Sequence, residues 1–122
     1  MTQLDVVADR ISELIDESVY RGQAPDIPCI ALIDSLPGGR PSNVNLDYDY
    51  PSFQLVVRGT DPATVITDMT TYLNLIHLDR HSGGIVSMLC GLPDLSLINK
   101  TYDHARLFEA TASLETTIRR VL

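Results

Sequence analysis

The stretch Ser52-Phe-Gln-Leu-Val-Val-Arg-Gly-Thr-Asp-Pro-Ala-Thr-Val-Ile66 decides the fold. Phe53, Leu55 and Val57 alternate with Ser52, Gln54, Val56 and Arg58, the period-2 pattern of a strand with one buried face. Gly59 breaks the pattern. Asp61 is then a good N-cap, and Pro62 stands at the first helical position, where its missing N–H costs nothing. Beyond it Val65, Ile66, Met69, Leu73 and Ile76 recur at spacings of three and four, one apolar stripe on a helix running to Leu78. A strand that stops abruptly and becomes a helix is therefore the frame on which the rest of the chain is placed.

Toward the N-terminus, Thr2–Tyr20 reads as a helix. Leu4, Val7, Ile11, Leu14 and Ile15 form its apolar stripe, and Asp5, Asp9, Glu13 and Asp16 its polar side. Thr2 followed three residues later by Asp5 is close to a capping box, and Gly22 is the expected C-terminal stop. Ile27–Ser35 is a nearly continuous apolar strand with Pro28 near its start, where proline is tolerated. Two prolines and two glycines in Leu36–Asn43 make that segment a long, projecting loop.

Toward the C-terminus, His77, Arg80 and His81 suit the negative end of a helix dipole, with Gly83 or Gly84 as the cap. Ile85–Cys90 is a strand, Gly91–Asp94 interrupts it, and Leu95–Thr101 resumes an extended course. Tyr102–Ala105 is a polar turn. From Arg106 to Ile118 the chain alternates strictly. Phe108, Ala110, Ala112, Leu114 and Ile118 share one face; Glu109, Thr111, Ser113, Glu115 and Thr117 share the other; Thr116 is a polar break in the apolar face. The expected fold is α+β, one domain over residues 1–122: a single, mainly antiparallel sheet with two helices packed on it, in the order α-β-β-α-β-β-β.

The bulk numbers narrow the function classes. At 122 residues, 44% hydrophobic and 20% charged, the chain is long and apolar enough for a core of its own. A net charge of −7, with Arg119-Arg120 the one basic pair, argues against a nucleic-acid surface. No apolar run approaches 18 residues, and the N-terminus reads as a helix rather than a signal peptide, so a cytoplasmic product with no membrane association is expected. Cys29 and Cys90 sit in apolar strand-like runs and read as free thiols.

Candidate chemistry is sparse. His77 and His81 have the four-residue spacing that puts two imidazoles on one helix face, with Asp79, His104 or Asp47/Asp49 as a third metal ligand; the simpler reading is decoration of a helix end. Asp47-Tyr48-Asp49-Tyr50 puts both tyrosines on one face and both aspartates on the other. Such a tetrad favours contact with another protein over acid–base work. Pro37-Gly-Gly-Arg40 lacks the Gly-Lys-Ser/Thr ending of a phosphate loop. No serine lies in a G-x-S-x-G context, and neither cysteine has a polarising neighbour.

Taken together, Tyr50-Pro-Ser-Phe-Gln54, Leu-Val-Val-Arg58, Asp61-Pro62 with its amphipathic helix, Gly91-Leu-Pro-Asp-Leu95 and Asp103-His-Ala-Arg106 resemble the minor capsid or tail terminator proteins of long-tailed, siphovirus-type bacteriophages. The resemblance covers nearly the whole chain in element order. It implies a structural virion protein without catalytic residues, cofactor or metal: a homo-oligomeric ring, usually of six subunits, on the head-proximal end of the tail. Such a ring stops polymerisation of the tail tube protein and offers a docking surface to the head–tail connector or neck protein. DNA is only cargo through its channel. Assembly would take place in the host cytoplasm. Under this reading Pro37, Gly38, Gly39 and Arg40, with Asp47, Tyr48, Asp49 and Tyr50, meet a neighbouring subunit or the tube. Arg58 pairs with an acid across a subunit boundary, and Arg119 and Arg120 sit at an exposed end. The rival readings are a head-completion or neck protein of similar fold, a small metal-dependent enzyme using His77, His81 and the acidic tetrad, and a monomeric binding module.

Overall fold

A computed structural model describes residues 2–35, 48–77 and 85–119. In chain order the elements are α1 (Gln3–Ile15), β1 (Tyr20–Arg21), β2 (Cys29–Asp34), β3 (Tyr48–Asp49), β4 (Ser52–Gly59), α2 (Pro62–Ile76), β5 (Ile85–Cys90), β6 (Asp94–Tyr102) and β7 (Ala105–Arg119). The fold is α+β: among the described residues seven strands form one sheet, and both helices lie on one of its faces. Two very short strands, β1 and β3, add to the expected order. The sheet is mixed: β1 runs parallel to β2, and the other described pairings are antiparallel.

The 15-residue β7 is the axis of the sheet. Leu114 is paired with Phe53 of β4 and with Cys90 of β5, and Ala110 with Val57 of β4 and Leu95 of β6. One side of β7 therefore carries β4, and the opposite side carries β5 and β6 end to end. The register lays out apolar rows under the helices: Ile30–Val57–Ala110, Leu32–Leu55–Ala112 and Phe53–Leu114. Val7, Ile11 and Ile15 of α1 and Val65, Met69, Leu73 and Ile76 of α2 close over them. This is the direct consequence of period-2 and period-3.6 stripes facing each other.

Local signals explain where the elements begin and end. The Thr2–Asp5 capping box forms: Thr2 Oγ1 accepts from the Asp5 N–H at 3.1 Å, and Asp5 Oδ2 accepts from the Thr2 N–H at 3.1 Å. The helix stops at Ile15 rather than Tyr20, because Asp16 takes the left-handed conformation (φ 56°, ψ 44°) that ends helices. Gly22 (φ 86°) is thus no helix stop. It turns the chain after β1, and its N–H reaches the Leu32 carbonyl at 2.9 Å. Asp61 occupies the N-cap position of α2 as expected, but its carboxylate accepts from the Thr64 hydroxyl at 2.6 Å and makes no cap bond to a backbone N–H. The polar break at Thr116 is also accounted for. Thr116 is 1% exposed, and its hydroxyl donates to the Pro51 carbonyl at 2.7 Å. Leu107 is fully buried on the face away from the helices, whereas Phe108 is only half-buried, so the buried pattern of β7 changes face near its start.

Candidate interaction surface

The expected site residues that are described, Tyr48, Asp49, Tyr50, Arg58 and Arg119, do not form one site. Tyr48 is paired with Arg119 across β3 and β7, and the guanidinium lies 5.9 Å from the Tyr48 ring centroid, a cation–π contact. Asp49 faces the other way and accepts from Gln3 Nε2 of α1 at 3.1 Å, in line with the alternation expected for the tetrad. Tyr50 follows at the same end, half-buried. Arg58 is elsewhere: it opposes Glu109, ten residues along β7 from Arg119, or roughly 33 Å at strand rise. Pro37, Gly38, Gly39, Arg40, Asp47 and Arg120 lie outside the described residues, as do Asp79, Arg80 and His81.

The acidic partner expected for Arg58 across a subunit boundary is in its own chain. Arg58 Nε donates to Glu109 Oε2 at 2.7 Å, and Nη1 reaches the carbonyls of Ala24 (2.8 Å) and Pro25 (2.9 Å) and Asp26 Oδ1 (3.2 Å). With both side chains under a fifth exposed, this cation clamps the Ala24–Asp26 segment onto the helix-free face of the sheet. These bonds join parts of one chain.

What alternation could not reveal is the edge. β5 and β6 run along the outer side of β7 as one interrupted strand. Cys90 pairs with Leu114 and Asp94 with Thr111, so Gly91, Leu92 and Pro93 oppose two residues of β7, a bulge held by the Gly91 N–H on the Ser113 carbonyl at 2.8 Å. A second irregularity falls between Leu97 and Thr101, where the Arg106 guanidinium reaches the Ile98 carbonyl at 3.2 Å. Asp103 (φ 51°) and His104 (φ 67°) then make the two-residue turn into β7. Along this edge Leu89, Leu92, Leu95, Leu97 and Tyr102 are exposed, Leu92 at 91%. Beyond β6 no further strand is paired among the described residues. An apolar, unpaired strand edge is a template for protein contact.

Next to the bulge lies a groove of about 270 Å³ between the end of α2 and the β5–β6 corner, lined by Thr70, Leu73, Asn74, His77, Cys90, Gly91, Leu92 and Pro93. His77 Nδ1 accepts the Cys90 N–H at 2.9 Å, so that nitrogen is committed to the backbone. Among the described residues no group of three or more His, Cys, Asp or Glu side chains could hold a metal ion. Cys29 and Cys90 are free, half-buried thiols. Burial pushes both up, Cys90 to about 11, which keeps the thiol protonated and a poor nucleophile at neutral pH. Among the described residues no helix is long and apolar enough to cross a membrane.

No protein family and no curated protein matches the chain.

Proposed function

We propose that the chain is a structural assembly protein, and specifically a tail terminator of a long-tailed bacteriophage. The observation that carries an assembly role is the β5–β6 edge, where Leu89, Leu92, Leu95, Leu97 and Tyr102 stand exposed and no further strand is paired among the described residues. The resemblance of the Tyr50–Arg58 strand, the Asp61-Pro62 helix and the Gly91–Leu95 and Asp103–Arg106 segments supports the narrower assignment. In this reading about six subunits close into a ring at the head-proximal end of the tail. They stop growth of the tube and present a docking surface to the connector or neck protein. The Tyr48, Asp49, Tyr50 and Arg119 end, with Pro37–Arg40, Asp47 and Arg120, meets a neighbour or the tube. A net charge of −7 suits a wall past which DNA moves without sticking.

Negative-stain imaging of the purified protein mixed with tail tubes tests the proposal. Rings on one end of each tube, with tube length arrested, are the expected result. Uncapped tubes that continue to grow would overturn it. Binding to filled heads without any effect on tubes would favour the head-completion or neck alternative. The enzyme alternative, which needs His77 and His81, predicts a stoichiometric transition metal in the purified protein.

A further inference from the structure

β3, only two residues long, ends on the β4 side of β7; among the described residues the sheet has two opposite edges, and they differ. One is β1, two residues long, whose Arg21 is tied to Asp5 (3.1 Å) and Asp9 of α1. Such a short strand offers almost no ladder to a partner. The other is the β5–β6 edge, with nine residues in β6 alone. Among the described residues a backbone ladder between two copies of this chain therefore has one long edge, and a contact that uses the same edge twice is isologous, with a two-fold axis and antiparallel strands.

We infer that β6 pairs with β6 of a second copy of this chain, antiparallel and centred on Leu97, to form a soluble dimer. The charges select this register. With the two-fold axis at Leu97, Asp94 stands opposite Lys100 of the second copy, and Lys100 opposite its Asp94. A shift of the axis to Ser96 leaves Asp94 against Ile98 and Lys100 against Leu92; a shift to Ile98 leaves Asp94 against Tyr102. Opposed residues must also share a face. Asp94 lies in the row Ala31–Val56–Thr111, on the helix-free side. Lys100 reaches Asp26, which also contacts Arg58 on that side. The Lys100–Asp26 contact is 3.6 Å long between side chains more than half exposed, so its exchange for Asp94 of the second copy costs little. On the helix-covered side Leu97 then meets its own counterpart, and Leu95, opposite Asn99 of the second copy, reaches that Leu97 diagonally, so the pair covers part of the exposed apolar edge.

The irregularities on either side of Leu97 keep the ladder short. The dimer is therefore reversible, and its edge remains exchangeable. This inference is independent of the ring: it concerns the chain in the absence of tail tubes.

Residue 97 opposes itself only in this register, at the spacing of directly opposed strand residues that a disulfide spans. Leu97→Cys under mild oxidation is expected to give a disulfide-linked dimer on a non-reducing gel. Wild type, with its own two thiols, and Ser96→Cys should stay monomeric on that gel. In sedimentation velocity the wild type should dimerise with concentration. Asp94→Lys should weaken the dimer at least tenfold, and Asp94→Lys combined with Lys100→Asp should restore it to within about threefold. A wild type that is monomeric at every concentration overturns the inference. So do a Leu97→Cys variant that links no faster than Ser96→Cys, and a dimer indifferent to both charge changes. Spontaneous six-membered rings without tubes would overturn the two-fold contact while supporting the ring.

Discussion

Arg58 and Glu109 stand directly opposite each other on β4 and β7, with Nε 2.7 Å from Oε2 and both side chains less than a fifth exposed. The same guanidinium holds two carbonyls of the segment that leads into β2. Removal of the arginine leaves a part-buried carboxylate and two carbonyls without their donor. Arg58→Ala should therefore destabilise the monomer by about 2–4 kcal/mol. Urea unfolding of Arg58→Ala, Glu109→Ala and the double variant would give a coupling of about 1–3 kcal/mol. Near-zero coupling would show that the pair is incidental.

Gly59 ends β4 where Val65 of α2 comes close. A Cβ at position 59 would stand 2.8 Å from Val65 Cγ2, a stiff, buried side chain. Gly59→Ala should cost about 1–3 kcal/mol through overpacking. Val65→Ala, itself destabilising, should then cost less in the Gly59→Ala background than alone. Additive losses in thermal melts would refute steric conflict as the cause.

The β6–β7 turn carries Asp103 and His104 in the left-handed region, at φ 51° and 67°. Neither is glycine, and histidine is the poorer fit. His104→Gly should stabilise the protein by about 0.5–1 kcal/mol, or roughly 2–5 °C in Tm. A lower Tm would mean that His104 makes a contact worth more than the strain.

Asp5 accepts the backbone N–H of Thr2, its hydroxyl and Arg21. These bonds, the Thr2 backbone first, hold its carboxyl below the ordinary value of 3.8. A depressed folded value means that the contribution to stability is present above about pH 4 and is lost as pH falls through the folded value. Asp5→Asn should lower stability at neutral pH and make it less dependent on pH between about 4 and 2. Parallel stability–pH curves for the two proteins would sink this assignment.

The helix starts, the strand–helix frame and the apolar rows are legible in the chain because they rest on local rules. Thr2 and Asp5 cap each other within one turn, Pro62 cannot sit deeper in a helix, and Phe53, Leu55 and Val57 alternate whatever lies beside them. The end of α1 was not legible. Asp16 adopts a conformation usually left to glycine, and Tyr20–Arg21 leaves the helix to pair with Ala31 and Leu32. The partner of Arg58 was not legible either, since Glu109 is 51 positions away and a lone cation at a strand end looks the same whether its acid lies in its own chain or in another.

The β5–β6 edge shows the same division most clearly. By itself the sequence determined that Gly91–Asp94 interrupts the strand and that Leu95–Thr101 resumes it, one residue later than the Asp94 start of β6, because alternation and backbone restriction act between near neighbours. Only the tertiary structure decided that β7 takes β4 on one side and β5–β6 on the other. Strand order is set by which apolar rows can be buried together under two helices, a property of the whole sheet. That choice makes Leu95 and Leu97 the exposed edge of the molecule rather than part of its core.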